Sequence, residues 1–311
     1  MSQQSQIIAT PLSSPTTQSW SGVQQQNAVI PAHNMQEELD SSYVEVDLPS
    51  RYKFYDFQHL YIRPFKQKHL RKLIQGQANK NARYMAEVIN SCIACEKGYK
   101  DLVFRLCRED FTYLQYWERI HSFPNIQYTQ MVECTNPEHI KMVEEKKLPA
   151  NSLVFPQAIT KTTLDVTYLE EDAKYSFDGY IPQELKDKYP QVTMHVPYME
   201  DYLQLLELAE KEVGDNDDEG LAWFMTGVPA SMLTIVDAQG KTLSLKERFD
   251  VVDELSPESV MLLQEVKSEV PEFGVTQIIK AKCPRCGAVT TTQLVLNAHS
   301  FLPQHNLKRG S

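Results

Sequence analysis

The sequence predicts an α+β fold, with mixed helices and short antiparallel strands, a zinc-ribbon-like element and an inserted α/β subdomain. Three observations predict it. Apolar faces at helical spacing are interleaved with short runs of period two, the marks of helix and half-buried strand. Two cysteine-bearing turns, at Cys134 and at Cys283, each follow a strand-like run. Between those turns lies a stretch with strands and helices of its own.

Residues 1–42 are rich in Gln, Ser, Thr and Asn and poor in periodic hydrophobics. Such a segment cannot bury enough apolar surface to offset its ordering entropy, so a disordered or partner-bound arm is expected. Order is expected from near Tyr43. Leu60–Ile62 reads as a strand ending at Pro64, followed by a basic helix with Lys66, Lys68, Arg71 and Lys72 around Leu70, Leu73 and Ile74. From Asn81, the residues Ala82, Met85, Ile89, Cys92 and Ile93 form one helical face. Asp110 reads as the N-cap of a helix carrying Phe111, Leu114, Trp117 and Ile120, which stops before Pro124. A strand through Tyr128 and Val132 then leads to Cys134. These residues make a helical region with a first knuckle, 43–140.

Residues 141–272 read as the inserted subdomain. Leu164, Val166 and Tyr168 alternate as a strand with one buried face does. Val192–Val196 is a second strand, and a helix follows with Tyr198, Tyr202, Leu205, Leu206 and Ala209. An acidic turn, Asp215 to Glu219, precedes the apolar run Leu221 to Met225. Leu233–Val236 is a strand, Asp237, Gln239 and Gly240 turn the chain, and Thr242 to Leu245 returns it. Ser256-Pro257 starts a helix, with an N-cap hydroxyl and proline at the first helical position. Residues 273–311 form a C-terminal half-ribbon and tail, with strands over Gln277 to Ala281 and Thr290 to Leu296.

The 311 residues allow two modest domains, or one large domain and a tail. Lys and Arg number 31 against 41 Asp and Glu, a formal net charge of −10. Proteins that neutralise phosphates show the opposite balance, so nucleic acid is not the expected main partner. No apolar run is long enough to span a bilayer. Met1 to Thr10 has neither a basic n-region nor an apolar h-region, so no secretory signal is expected. Six cysteines without such a signal fit a reducing compartment, where thiols pack in cores or bind metal.

The sharpest local pattern is Cys283-Pro-Arg-Cys286-Gly287. Two thiolates on one tight turn chelate one tetrahedral ion, and glycine relieves the backbone where amides face the sulfurs. One pair is half of a structural zinc site. Cys134-Thr-Asn-Pro-Glu-His139 offers the other half, Pro137 favouring a turn within it, and would complete a Cys3His set across the insertion. His299 and His305 are the alternative, since Cys283-x2-Cys286-x12-His299-x5-His305 has zinc-finger spacing. The finger, however, needs a helix where Thr290 to Leu296 alternates like a strand. The plainest alternative is two unligated thiols in a hairpin. Cys92-Ile-Ala-Cys95 repeats the Cys-x2-Cys spacing on a predicted helix, where Cys92 reads as a core thiol, as does Cys107.

Catalysis is not expected. Asp217 and Asp218 read as solvated charges and His195 as a hydrogen-bonded structural histidine. No Walker loop, Gly-x-Ser-x-Gly or His-Glu-x-x-His occurs. The basic face Arg63 to Lys72 contrasts with acidic Glu200 to Glu219, a conceivable docking pair.

Several landmarks in order resemble the baseplate hub assembly proteins of T4-like contractile bacteriophages. They are Leu48-Pro49-Ser50-Arg51 with Tyr55, Tyr61-Ile62-Arg63-Pro64-Phe65, Val88 to Ile93, and Glu109-Asp110-Phe111-Thr112-Tyr113-Leu114. Cys134, Val192 to Asp201, Ser256 to Gly274, the Cys283–Gly287 turn and Phe301 follow, so the resemblance spans roughly residues 45–302. Where the family places a first cysteine pair, this chain has Cys134 and His139. The resemblance implies a structural or assembly role in the baseplate hub of the virion tail, in host cytoplasm during assembly. The partners would be other hub, spike and tail proteins, in a symmetric complex. The rival reading is a zinc-ribbon protein that binds nucleic acid or regulates transcription; only Lys280, Lys282 and Arg285 near Cys283 favour it.

Overall fold

A computed structural model of the chain describes residues 41–79, 82–125, 128–159, 165–212 and 217–294. Residues 1–40 of the expected arm and the alternative ligands His299 and His305 lie outside them. The described chain is α+β, with helices around short antiparallel ladders.

β1 (Val44–Val46) and β2 (Leu60–Ile62) pair antiparallel, and Leu60 and Ile62 point inward, fully buried. The basic segment folds as α1 (Gln67–Asn79), and α2 (Ala82–Asn90) is the next described element. Here the sequence reading needs a correction. The helical face does not extend through Cys92 and Ile93, because α2 ends at Asn90. Cys92 sits in a turn, and Ile93–Cys95 forms β3, opposite Ile62 and Leu60 of β2. Edge pairing with β2 satisfies backbone groups that a longer helix would have left in competition, and Ile93 and Cys95 then share the inward face. The Asn90 side chain helps to end α2: its amide donates to Lys100 O (2.6 Å), and its oxygen accepts from Val103 N (2.9 Å).

α3 (Arg108–Ser122) is the central helix of the first core, with Phe111, Leu114 and Trp117 among its buried residues. A second correction concerns its start. The N-cap is Cys107, whose carbonyl accepts from Phe111 N, whereas Asp110 lies inside the first turn and is fully buried. Its carboxylate instead receives the Ser50 amide (3.0 Å) and the Tyr55 hydroxyl (2.6 Å), while Tyr55 Oη also accepts the Cys107 amide (2.9 Å). A carboxylate near a helix N-terminus suits the helix dipole. This one also ties the 48–55 loop to α3.

β4 (Tyr128–Glu133) runs to Cys134, and α4 (Pro137–Glu144) follows. Pro137 therefore opens a helix rather than a turn. Asn136 caps it by accepting from Glu138 N (2.9 Å), and proline costs nothing at a position whose N–H has no helical partner. β5 (Val154–Ile159) then returns to pair along all of β4, Tyr128 opposite Ile159 and Glu133 opposite Val154.

β6 (Val166–Thr167) is shorter than the predicted strand, Leu164 of which lies outside the described residues. A second core is assembled from residues between Ile181 and Val266. It holds α5 (Gln183–Lys188), β7 (Gln191–Met194), α6 (Met199–Glu212), α7 (Asp217–Ser231) and β8 (Leu233–Val236), with β7 and β8 antiparallel. Of the predicted acidic turn, residues 217–219 belong to α7 and residues 215–216 lie outside the described residues. After β8, Asp237 Oδ1 accepts from Gln239 N (2.9 Å) and Lys241 N (2.8 Å), and Gly240 supplies a φ of 79° that closes the turn. The expected return strand is reduced to a bridge at Thr242, because Leu245 starts α8 (Leu245–Asp253). Ser244 and Glu247 form a full capping box there, and that exchange outcompetes extension of the strand. Ser256 caps α9 (Pro257–Glu265) as predicted. β9 (Gly274–Val275) pairs with β6, and β10 (Ile278–Lys282) with β11 (Val289–Gln293) forms the last hairpin.

Candidate metal centre

Two hairpins carry the site. In the first, β4 delivers Cys134 to its end, where Cys134 N donates to Leu153 O (2.8 Å), and α4 places His139 in its first turn. In the second, the turn between β10 and β11 carries Cys283 and Cys286. It closes with Gly287 N to Cys283 O (2.9 Å) and Cys283 N to Ala288 O (2.8 Å), and Gly287 takes a φ of 73°. A residue with a Cβ would be strained at that angle.

The hairpins are sewn side by side. Thr135 N donates to Thr290 Oγ1 (3.2 Å), and Gln130 Nε2 donates to Gln293 O (2.6 Å). Val132, Phe155 and Ala281 pack with Cys134 and Cys283 in a small core of their own. This seam brings ligand atoms of Cys134, His139, Cys283 and Cys286 within 4.8 Å of one another. Cys134 and Cys286 Sγ are 3.6 Å apart, and Cys283 Sγ is 3.7 Å from His139 Nδ1. Zinc–sulfur bonds of about 2.3 Å and zinc–nitrogen bonds of about 2.0 Å give tetrahedral ligand–ligand edges of roughly 3.5–3.8 Å. The donor set fits a tetrahedral ion.

Its electrostatics also suit a cation. Burial by itself raises a thiol, yet the Cys286 and Arg285 amides and the Cys286 and Cys134 thiols aim at the Cys283 sulfur and bring it down to about 6. Cys134 is pushed the other way by burial, opposed by the Asn136 amide, with the neighbouring Cys286 and Cys283 sulfurs adding to the rise. Crowded thiols that cannot all ionise together are stabilised by a divalent ion among them. Cys134, His139 and Cys283 are buried and Cys286 is exposed. His139 presents Nδ1 to the cluster and Nε2 to Ser152 Oγ at 3.3 Å. Ser152 escapes a reading of the sequence, since nothing at a spacing of 13 residues, at the end of a single 3-10 turn, marks it as a partner of His139.

The remaining sequence candidates fall elsewhere. Cys95 is buried in the first core, Cys92 is buried with its Sγ 3.2 Å from His69 Nδ1, and Cys107 is buried beside Tyr55. His195 is held between Val196 O (2.8 Å) and Thr234 Oγ1 (3.0 Å) and stacks on Tyr198.

Fold and site together define an α+β protein whose remote hairpins meet at a Cys3His cluster. The chain belongs to the T4 bacteriophage base plate protein family, which it matches over residues 41–302. No curated protein and no solved structure matches it. Membership makes it a phage baseplate protein and implies contacts with other tail and baseplate proteins. Among the described residues no helix is long and apolar enough to cross a membrane.

Proposed function

We propose that this baseplate protein is a structural or assembly component of the tail hub, acting by protein–protein binding rather than catalysis, with one structural zinc. The convergence of Cys134, His139, Cys283 and Cys286 carries the reading. Four protein ligands leave no open coordination position, which is the mark of a structural site rather than a catalytic one. Landmarks of the hub-protein resemblance also meet in space, since Ser50 and Tyr55 both bind Asp110. In this reading the zinc staples the two hairpins, and the body presents surfaces to hub and spike neighbours in a symmetric complex. Assembly takes place in host cytoplasm, and the net charge of −10 turns the surface away from nucleic acid.

Cross-linking mass spectrometry on purified baseplates tests the location. Cross-links to the central spike or tube proteins are expected. Cross-links confined to peripheral baseplate proteins would remove the hub assignment.

A further inference from the structure

Charge is distributed unevenly along this acidic chain. From Phe57 to Ala86 there are seven Lys and Arg and no Asp or Glu, whereas residues 165–272 hold 25 Asp and Glu against 8 Lys and Arg. Part of this contrast is satisfied within one copy. Arg83 on α2 is clamped by Glu200 and Glu207 of α6, at 3.0 Å each. Those two carboxylates are therefore not free to receive the basic face of α1.

That face remains open. Lys68, Arg71 and Lys72 stand on successive turns of α1, all exposed, and none forms an ion pair among the described residues. His69 and Leu73 are the buried side of the same helix. Burial, helped by the charges of Lys68, Arg63, Lys72 and Lys66, holds the His69 imidazole down at about 4, the mark of a positive field around it. Ile74, three residues beyond Arg71 and so beside it on the helix surface, is 57% exposed.

The complement lies on α9 of the second core. Glu258 and Glu265 flank Met261 at spacings of three and four residues, so the three share one face of that helix. Both carboxylates are exposed without an ion pair among the described residues, and Met261 is 63% exposed. Each face thus joins a row of like charges to an exposed aliphatic side chain, the two rows are opposite in sign, and each runs about 10 Å along its helix. The two sets do not pair with each other inside one chain, so a second copy is what can bring them together.

We infer that α1 of one copy docks on α9 of another, with Lys68, Arg71 and Lys72 facing Glu258 and Glu265 and Ile74 set against Met261. The contact joins unlike surfaces, so it is made twice in a two-fold dimer or repeats head to tail around a ring. It does not require a hub location. Nucleic-acid phosphate is the less favoured occupant, because a net charge of −10 opposes it.

Sedimentation velocity of the full-length chain tests the contact at low and high salt. The parent should self-associate at low salt and weaken roughly tenfold or more as salt rises. A Lys68→Glu, Arg71→Glu, Lys72→Glu variant sets acid against acid, and a Glu258→Lys, Glu265→Lys variant sets base against base. Each alone should lose about tenfold or more in association constant. Mixed in equal amounts, the two should associate again, since each supplies the face that the other lacks while both keep a negative net charge. A parent that is monomeric at low salt, or a mixture that stays monomeric, overturns the inference. So does low-salt binding of the parent to a DNA oligonucleotide that the α1 variant loses, which would assign the face to phosphate.

Discussion

Cys134 Sγ lies 3.6 Å from Cys286 Sγ although 152 residues separate them in the chain. Closing so long a loop costs entropy that grows only slowly with length, so a few good contacts at the seam suffice to hold it. Thr135–Thr290 and Gln130–Gln293 are two such contacts, and a metal at the cluster would be by far the strongest.

The full-length protein should carry about one zinc per chain, and Cys283→Ser should lose it. The variant is expected to lose about 4 kcal/mol or more of stability, in line with losing a structural metal. Elemental analysis of freshly purified protein and urea denaturation check both statements. A chain free of metal as isolated would dismiss the staple.

Ser152→Ala should weaken zinc binding about 10- to 100-fold while leaving the stoichiometry at one. Zinc on His139 Nδ1 requires the proton on Nε2, and Ser152 Oγ, buried beside it, is placed to accept that proton's hydrogen bond. Competition against a chromophoric chelator measures the affinity. Equal affinities in variant and parent would reduce Ser152 to a packing residue.

The site was legible in the sequence because its information is local. Cys-x2-Cys-Gly and Cys-x4-His are each short enough to imply a turn that gathers ligands, whichever fold carries them. What failed depended on partners far along the chain. Val154–Ile159 does not alternate cleanly and holds Pro156, and it becomes β5 because β4 offers a full ladder beside it. Cys92 and Ile93 fit a helical face equally well until β2 supplies an edge for Ile93–Cys95. Asp110 has the residue type of an N-cap, and only the arrival of Ser50 and Tyr55 shows why it is buried inside the first turn. α8 is a different case, since its capping box, Ser244 with Glu247, is plain in the sequence but competes there with the alternation of Thr242 to Leu245.

Asp110 should make the protein less stable as pH rises from about 4 to about 6. Burial pushes its carboxyl up to about 6, against bonds from Ser50 and Tyr55 that favour the charged form. Between its unfolded value near 3.8 and about 6, the folded state holds the proton more tightly than the unfolded state. Stability therefore falls with rising pH across that window and is flat above it with respect to this group. Asp110→Asn lacks the titration. The stability difference, parent minus variant, should shrink by on the order of 2–3 kcal/mol from pH 4 to pH 6. Urea denaturation of both proteins across the range cancels titrations common to them. A difference that does not vary with pH would mean that folding leaves the Asp110 carboxyl unshifted.

The second core has its own polar tie, and its energetics can be separated by two substitutions. Arg248 Nη2 on α8 lies 2.5 Å from Asp201 Oδ1 on α6, both side chains mostly buried. Arg248 Nη1 donates to the carbonyls of Leu233 and Ala230, while Nε has no partner. Asp201→Leu strands a buried guanidinium charge, which typically costs about 3–5 kcal/mol. Adding Arg248→Met removes the stranded charge, and a hydrophobic replacement of a buried pair is often close to neutral. Here it cannot restore the donor to the Ala230 and Leu233 carbonyls, so a residual cost of about 1–3 kcal/mol should remain. The double variant is therefore expected to fall between Asp201→Leu and the parent in chemical denaturation. If it proved less stable than Asp201→Leu alone, the carbonyl contacts, and not the ion pair, would be what Arg248 mainly contributes.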